Sequence, residues 1–187
     1  MMPVGIVFAL ASVGGLCAFY LRARSGYKTN IYIKGELEMD AFEILKTDHA
    51  KVSSLFEQIE ATTDTTTRQG LFTQLKQELD VHAHIEETIL YPALKGATET
   101  RDIIEEAYEE HQEVKDLLAE LAATPADNEE WSDLIIELKE NVEHHVEEEE
   151  GEMFPQARTV LSAEQITEIG ARLAAEKQQK LKAAAAG

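Results

Sequence analysis

Two stretches of the sequence carry the same chemically active side chains in the same order. Each begins with an acidic residue followed by a histidine and continues, 33 or 34 residues after that histidine, with a His-x-x-x-Glu pair that leads into an aromatic residue and a proline. Such an internal repeat is typical of two copies of one supersecondary unit that face each other. The histidine and glutamate side chains of the repeat are His49, His82, Glu86, His111, His145 and Glu149. Imidazole nitrogen and carboxylate oxygen together suit Fe(II), Mn(II) and Zn(II). The doubling therefore predicts a two-metal site.

The surrounding apolar pattern predicts that these side chains point into a helical core. His49 shares a helical stripe with Leu45 and Val52, and the other three histidines lie on comparable stripes. Glu86 and Glu149 each follow a histidine by four residues, so each lies one turn further along on the same inward face. A carboxylate in an apolar core is strongly disfavoured unless it has a partner, and a metal ion provides one.

The elements that must position these residues are long helices. The helical period begins at about residue 39 and predicts helices over about 39–60, 67–91, 98–122 and 129–153, with stops at Pro92 and Pro155. A capping box at Ser162 and Gln165 begins a fifth helix over about 163–181. Four long helices with short links indicate an all-α, up-down-up-down four-helix bundle with an extra C-terminal helix.

The N-terminal segment is predicted to be separate from the bundle. Residues 3–21 contain no charged side chain and are long enough for a helix to cross a membrane, although a cleaved signal peptide is the competing interpretation. Arg22, Arg24 and Lys28 follow, so we expect a single-pass membrane protein whose C-terminal domain is cytoplasmic. The predicted organisation is a transmembrane anchor (1–21), a juxtamembrane linker (22–38), the di-metal bundle (39–157), and a C-terminal helix and tail (158–187).

Composition excludes several classes of protein and site. A formal net charge of -19 repels phosphate backbones, so nucleic acid is not an expected partner. A single cysteine, Cys17, excludes an intramolecular disulfide and a cysteine-based metal cluster.

The remaining polar and aromatic residues near the repeat have more than one interpretation. His84 and His144 are assigned to the exterior, because each is out of phase with its inward neighbour. Glu87 and Glu150 could hydrogen-bond a ligand histidine from behind or be solvated charges. Tyr91 is interpreted as a packing residue, with stabilisation of a bound oxidant as the alternative. A single histidine on an apolar stripe is most often structural, but four on four helices, two with Glu at the fourth position onward, favour a metal site.

The motif set resembles the hemerythrin-like, or HHE cation-binding, family over about residues 39–157. The resemblance rests on Asp48-His49, His82-x-x-x-Glu86-Glu87 to Tyr91-Pro92, Glu110-His111, and His145-x-x-x-Glu149-Glu150 to Phe154-Pro155. It implies a carboxylate-bridged, non-haem di-iron centre with the four histidines as terminal ligands and the two glutamates as bridges. Oxygen-carrying members have a fifth histidine one turn along the third helix, where this chain has Ala107 and Lys115. The missing imidazole makes reversible oxygen storage a poor expectation.

The combined prediction is a membrane-tethered di-iron protein that reacts with or senses dioxygen, nitric oxide or peroxide. Protection of iron centres against oxidative or nitrosative stress is what the resemblance implies for its setting. The cofactor is predicted to be two iron ions, with manganese or zinc as alternatives, and no catalytic side chain is assigned. An iron or oxygen sensor, or an iron-handling adaptor without turnover, is the alternative function, so enzymatic activity stays open. A structural scaffold that binds no metal is a third hypothesis.

Overall fold

A computed structural model describes residues 11–13, 16–18 and 40–184 of the chain. Residues 40–184 are almost entirely helical, and two of the helical segments are wide π turns, labelled π1 and π2. The elements in chain order are β1 (Ala11–Val13), β2 (Leu16–Ala18), α1 (Ala41–Ala61), α2 (Thr65–Ile85), π1 (Glu86–Leu90), α3 (Tyr91–Leu94), α4 (Arg101–Ala123), α5 (Glu129–Glu148), π2 (Glu149–Met153), α6 (Phe154–Val160) and α7 (Ala163–Ala184).

Side-chain caps define where several of the helices begin. The carboxylate of Asp40 accepts from the backbone N–H of Phe42 before α1, and Asp64 does the same for Thr67 in α2. The capping box predicted for the C-terminal helix is present, because Gln165 Oε1 accepts from the Ser162 backbone N–H at 2.8 Å and the hydroxyl of Ser162 accepts in return. Short polar segments with capping residues therefore separate the long helices.

The helices of residues 40–184 pack into a bundle, which confirms the predicted helical bundle. Helix α1 packs on α2, α4 packs on α5, and α7 lies against α1 and α2. Two apolar clusters fill the interior, one around Phe42 and Leu45 and the other around Phe56 and Trp131. Along α1, His49 lies between these two clusters. The bundle therefore contains a polar layer enclosed by apolar side chains on both sides.

The two prolines that were predicted to end helices do not end them. Each is preceded by a π turn, and Pro92 and Pro155 then stand in the first turn of α3 and α6. A proline is tolerated there because the first turn of a helix needs no N–H donor from it. In π1 the Tyr91 N–H donates to the Glu86 carbonyl five residues back, and π2 repeats this pattern.

The predicted single-pass membrane localisation is wrong. Within the described ranges, no helix is both long and apolar enough to cross a membrane. Residues 11–13 and 16–18 of the predicted span pair as antiparallel strands, with Ser12 opposite Cys17. Gly14-Gly15, which separates them in sequence, disfavours a helix and is typical of a hairpin. The rest of the predicted span and the predicted linker lie outside the described residues, and the expected cytoplasmic placement is withdrawn with the anchor.

Candidate metal centre

The six side chains of the repeat come together in the polar layer of the bundle. They are contributed by α1, α2, π1, α4, α5 and π2, and none is more than 7 % exposed. The histidines were predicted to face inward because of their apolar stripes, and their burial agrees with that expectation. Each glutamate is the first residue of a π turn, a distortion that is frequent at functional sites.

The imidazoles form two pairs, one from each copy of the repeat. The Nε2 atoms of His49 and His82 are 3.3 Å apart, and those of His111 and His145 are 3.2 Å apart. Because the two Nε2 atoms of each pair are so close, they face a common point inside the bundle. At most one hydrogen can lie between them, so at least one Nε2 lone pair in each pair is free to bind a cation.

The two carboxylates lie between the histidine pairs. Glu86 Oε2 is 3.1 Å from His82 Nε2 and 3.4 Å from His111 Nε2. Glu149 Oε2 is 3.3 Å from His49 Nε2 and 3.6 Å from His145 Nε2. Each glutamate thus lies near one histidine of the first pair and one histidine of the second pair. A carboxylate that bridges two ions would need this arrangement.

Unpaired oxygens test whether this donor set fits a pair of cations. Both carboxylate oxygens of Glu86, and Oε2 of Glu149, are buried and have no hydrogen-bond partner in the described part of the chain. Buried polar atoms in native proteins are almost always paired, and an unpaired carboxylate is costly. Ligand atoms of His49, His82, Glu86 and Glu149 lie within 4.8 Å of one another, as do those of Glu86, His111 and His145. Two divalent cations would satisfy every one of these atoms.

The pKa shifts of the two buried glutamates also favour bound cations. Burial, reinforced by the neighbouring charge of Glu149, raises the pKa of Glu86 well above its ordinary value. Burial also acts to raise the pKa of Glu149, but the imidazoles of His145 and His49 outweigh it and lower that pKa. Without a cation the protein thus disfavours two negative charges at this point, and divalent ions would reverse that preference.

Carboxylates stand behind the imidazoles as well as between them. Three of the four rings have a carboxylate oxygen at hydrogen-bond distance from Nδ1. The pairs are His49 with Glu150 at 2.8 Å, His111 with Glu87 at 3.0 Å, and His145 with Glu110 at 2.7 Å. An Nδ1–H that donates to a carboxylate leaves the Nε2 lone pair free to face inward, which is the tautomer that a metal needs.

These outer contacts follow the repeat. The acid that precedes the first histidine of each copy, Asp48 or Glu110, faces the second histidine of its own copy, His82 or His145. The acid after the inward glutamate instead crosses to the other copy, as Glu150 does when it reaches His49. Glu87 and Glu150 were predicted as candidate partners of the histidines, whereas no role was predicted for Asp48 and Glu110. Their equivalent places in the two copies were the signal that could have identified them.

Three further predictions concern residues near the cluster. His144 is exposed, with 63 % of its side chain accessible, as expected for the exterior. His84 lies outside the cluster but is only about one-third exposed, because its ring faces Glu176 of α7 at 2.9 Å. Tyr91 is buried in the apolar core, as its packing interpretation predicts, and its hydroxyl also donates to Glu149 Oε1 at 3.1 Å and lies 3.3 Å from His111 Nε2. Tyr91 therefore belongs to the polar cluster.

A small apolar cavity adjoins the imidazoles. Its volume is about 20 Å³, close to what one water-sized molecule occupies. Besides the four histidines, its walls are the aliphatic side chains of Val52, Leu79, Ala83, Val114, Val142 and Val146. The cluster thus has room on one side for a very small, weakly polar molecule.

The chain is similar to known proteins in both sequence and structure. The model of the hemerythrin HHE cation-binding domain matches residues 40–157. A crystal structure of a hemerythrin HHE cation-binding domain-containing protein from Mycobacterium kansasii is similar, with a TM-score of 0.70 and 35 % identity over 78 % of this chain and 89 % of that one.

Sequence relatives are found in bacteria. An uncharacterised protein of Mycobacterium tuberculosis is 32 % identical over 147 residues, which are 75 % of this chain and 87 % of the relative. A Nostoc protein named as a DNA nickase is 32 % identical over 153 residues, which are 80 % of this chain. This chain spans only 43 % of the length of that Nostoc protein.

Proposed function

Because the chain belongs to the hemerythrin HHE cation-binding domain family, we propose that its bundle binds two iron ions and uses them to bind or react with a small ligand. The ligand class is dioxygen, nitric oxide or peroxide. Support comes from the unpaired oxygens of Glu86 and Glu149, which lie between two pairs of inward imidazole nitrogens. This single observation carries the proposal, since buried carboxylates without partners are explained by cations.

In this proposal the repeat supplies one set of terminal ligands per ion. His49 and His82 would hold one ion, His111 and His145 the other, and Glu86 and Glu149 would be shared between them. Iron bound in this way would supply electrons to the small molecule or bind it so that its presence is sensed. Nitrogen and carboxylate donors also accept manganese or zinc, so the metal is chosen from the family rather than from the donors alone.

The rest of the site acts on the ligands and on what can enter. Glu150, Glu87 and Glu110 hold three imidazoles in the inward tautomer from behind. The aliphatic walls of the cavity disfavour charged molecules, which favours small, uncharged ligands. The Tyr91 hydroxyl provides a hydrogen-bond donor beside the cluster. Nitric oxide and peroxide are agents of nitrosative and oxidative stress, so protection against them is the proposed setting.

The iron proposal is tested on full-length protein purified in air. We expect about two iron ions per chain by elemental analysis, and near-ultraviolet charge-transfer absorption from a coupled ferric pair. A colourless protein that folds stably and takes up no iron, manganese or zinc would contradict it.

A sensor without turnover is the second candidate. The observation that favours it is the same set of buried, unpaired carboxylate oxygens, because they make cation binding part of the folding free energy. The reduced, iron-loaded protein should consume peroxide or nitric oxide catalytically if it is an enzyme. Stoichiometric binding with no repeated turnover, together with metal-dependent protection of α7 from hydrogen exchange, would favour the sensor.

A further inference from the structure

One of the four imidazoles is held differently from the others. His82 Nδ1 is 3.8 Å from Asp48 Oδ2, beyond hydrogen-bond distance. Neither atom has a hydrogen-bond partner among the described residues. Aspartate is one methylene shorter than the glutamates behind the other three rings, so its carboxylate does not reach the imidazole. A contact other than a hydrogen bond to His82 must therefore fix the position of Asp48.

Lys177 provides that contact. Its ammonium group donates to Asp48 Oδ1, and the Asp48 side chain is only 5 % exposed. A nearly buried carboxylate depends strongly on its partner, because removing one member of such a pair leaves an uncompensated charge. The other oxygen of Asp48 then faces His82. Asp48 is thus placed between a cation on one side and a candidate ligand on the other.

The origin of this lysine distinguishes it from the other cations around the site. Glu87 is paired with Lys115 of α4 at 2.6 Å, and Glu150 lies 3.9 Å from Lys46 of α1, both within the family-matched residues 40–157. Lys177 instead belongs to α7, which follows the matched segment. Helix α7 packs through buried residues such as Ile169 and Leu173 against α1 and α2.

We propose that Lys177 is a positioning residue for the metal centre, which holds Asp48 from the C-terminal helix and through it orients the ring of His82. The negative charge of Asp48 near Nδ1 favours the tautomer whose proton is on Nδ1 and whose Nε2 lone pair faces the cluster. The C-terminal helix thereby contributes to one of the two ion positions, the one served by His82. The effect on metal binding rests on the proposed function, whereas the orientation of His82 does not.

Cobalt(II) titration of the full-length protein, followed by its visible spectrum, measures the metal-binding consequence. We expect Lys177→Met to weaken binding at one of the two positions by up to about tenfold and to leave the other unchanged. Lys180→Met is the matched control, because it removes the same charge from the same helix three residues later. Unchanged binding in Lys177→Met, or an equal loss in Lys180→Met, would overturn the proposal.

A second control separates positioning from simple helix docking. Glu176→Gln weakens the contact of α7 with His84 without touching Asp48. We expect it to leave both cobalt affinities close to those of the wild type. If Glu176→Gln reproduces the effect of Lys177→Met, docking of the helix rather than Lys177 is responsible, and the positioning role is wrong.

The metal-free protein gives a readout that does not depend on metal binding. Nitrogen-15 NMR of the histidine rings should show that Lys177→Met lowers the fraction of His82 with its proton on Nδ1, while His145, held by Glu110, is unaffected. An unaltered His82 signal overturns the proposal. If the wild type binds no cobalt but the His82 signal shifts as expected, the proposed function fails and the positioning role stands. Should Lys177→Met not fold, Lys177→Arg replaces it, because the planar guanidinium of arginine does not reproduce the single-point contact of an ammonium. The His82 signal should then shift in the same direction but by a smaller amount, and an unaltered signal again overturns the proposal.

Discussion

The first half of the bundle, α1, α2 and π1, and the second half, α4, α5 and π2, present nearly the same inner surface. The Nε2 atoms of the histidine pair are 3.3 Å apart in the first half and 3.2 Å apart in the second. Each half also contributes one inward glutamate at the start of a π turn. The residues that would touch metal are therefore related by the repeat.

The two halves differ in the layer around these residues. Tyr91 of the first half stacks on His111 with ring centres 5.5 Å apart, and its counterpart Phe154 stacks on His49 at 6.2 Å, but only the tyrosine brings a hydroxyl group. Glu110 reaches its histidine at 2.7 Å, whereas Asp48 stays at 3.8 Å from His82. The two sets of donors thus have unequal surroundings, which would make two chemically similar ions behave differently if both were bound.

The largest expected effect tests whether the inner surface is symmetric. Glu86→Ala and Glu149→Ala should each lose at least one of the two metal ions, because each carboxylate contacts a histidine of both pairs. Elemental analysis after reconstitution with iron measures this. His84→Ala and His144→Ala are the controls and should keep normal occupancy. Full occupancy in either glutamate variant would break the proposed equivalence of the halves.

A smaller effect should reveal the inequality of the outer layer. Glu110→Ala is expected to lower metal affinity by about ten- to a hundredfold, because it removes a hydrogen bond that orients His145. Asp48→Ala should have the smaller effect, since its carboxylate makes no hydrogen bond to His82. Competition with a chelator gives both affinities. Equal losses would mean that the difference in distance has no energetic consequence.

The smallest expected effect concerns the tyrosine. Tyr91→Phe gives this position the same residue type as Phe154 in the other half and leaves Glu149 Oε1 without its donor, which should destabilise the metal-free protein by about 1–3 kcal/mol. Urea denaturation measures the change. Tyr108→Phe is the matched control, because its half-buried hydroxyl donates to the Glu87 carbonyl at 3.3 Å and should cost less. A Tyr91→Phe protein as stable as the wild type would show that the Glu149 contact is not needed.

Much of the fold and the inner surface could be predicted from sequence because both depend on local patterns. Apolar stripes and a His-x-x-x-Glu spacing are properties of single helices, and the repeat related one half to the other. The outer contacts were harder to predict, since Glu150 reaches His49 across 101 residues of chain. The contact of Lys177 with Asp48, 129 residues apart, had no signal in either motif.

Two errors have a common cause in single-residue rules. The stop assigned to Pro92 follows from its missing N–H, but the preceding π turn places that proline where no donor is needed. The membrane span was assigned from the absence of charge over residues 3–21, a criterion that does not weigh the Gly14-Gly15 pair. In each case the neighbouring residues changed what the rule implied.

The π turns have a consequence for tolerance to insertions and deletions. Tyr91 follows Glu86 by five residues, and in an ordinary α-helix that offset would rotate it about 140° away from the glutamate. The wide turn reduces this rotation, so that both side chains meet the same cluster. The π turn therefore accommodates one residue more between Glu86 and Tyr91 than an ordinary α-helix would allow for two side chains on one face. Removing a single amino acid there would leave an offset of four, which an ordinary α-helix places about 40° apart on one face, so the ring would stay near the cluster once the π turn closed to an α turn.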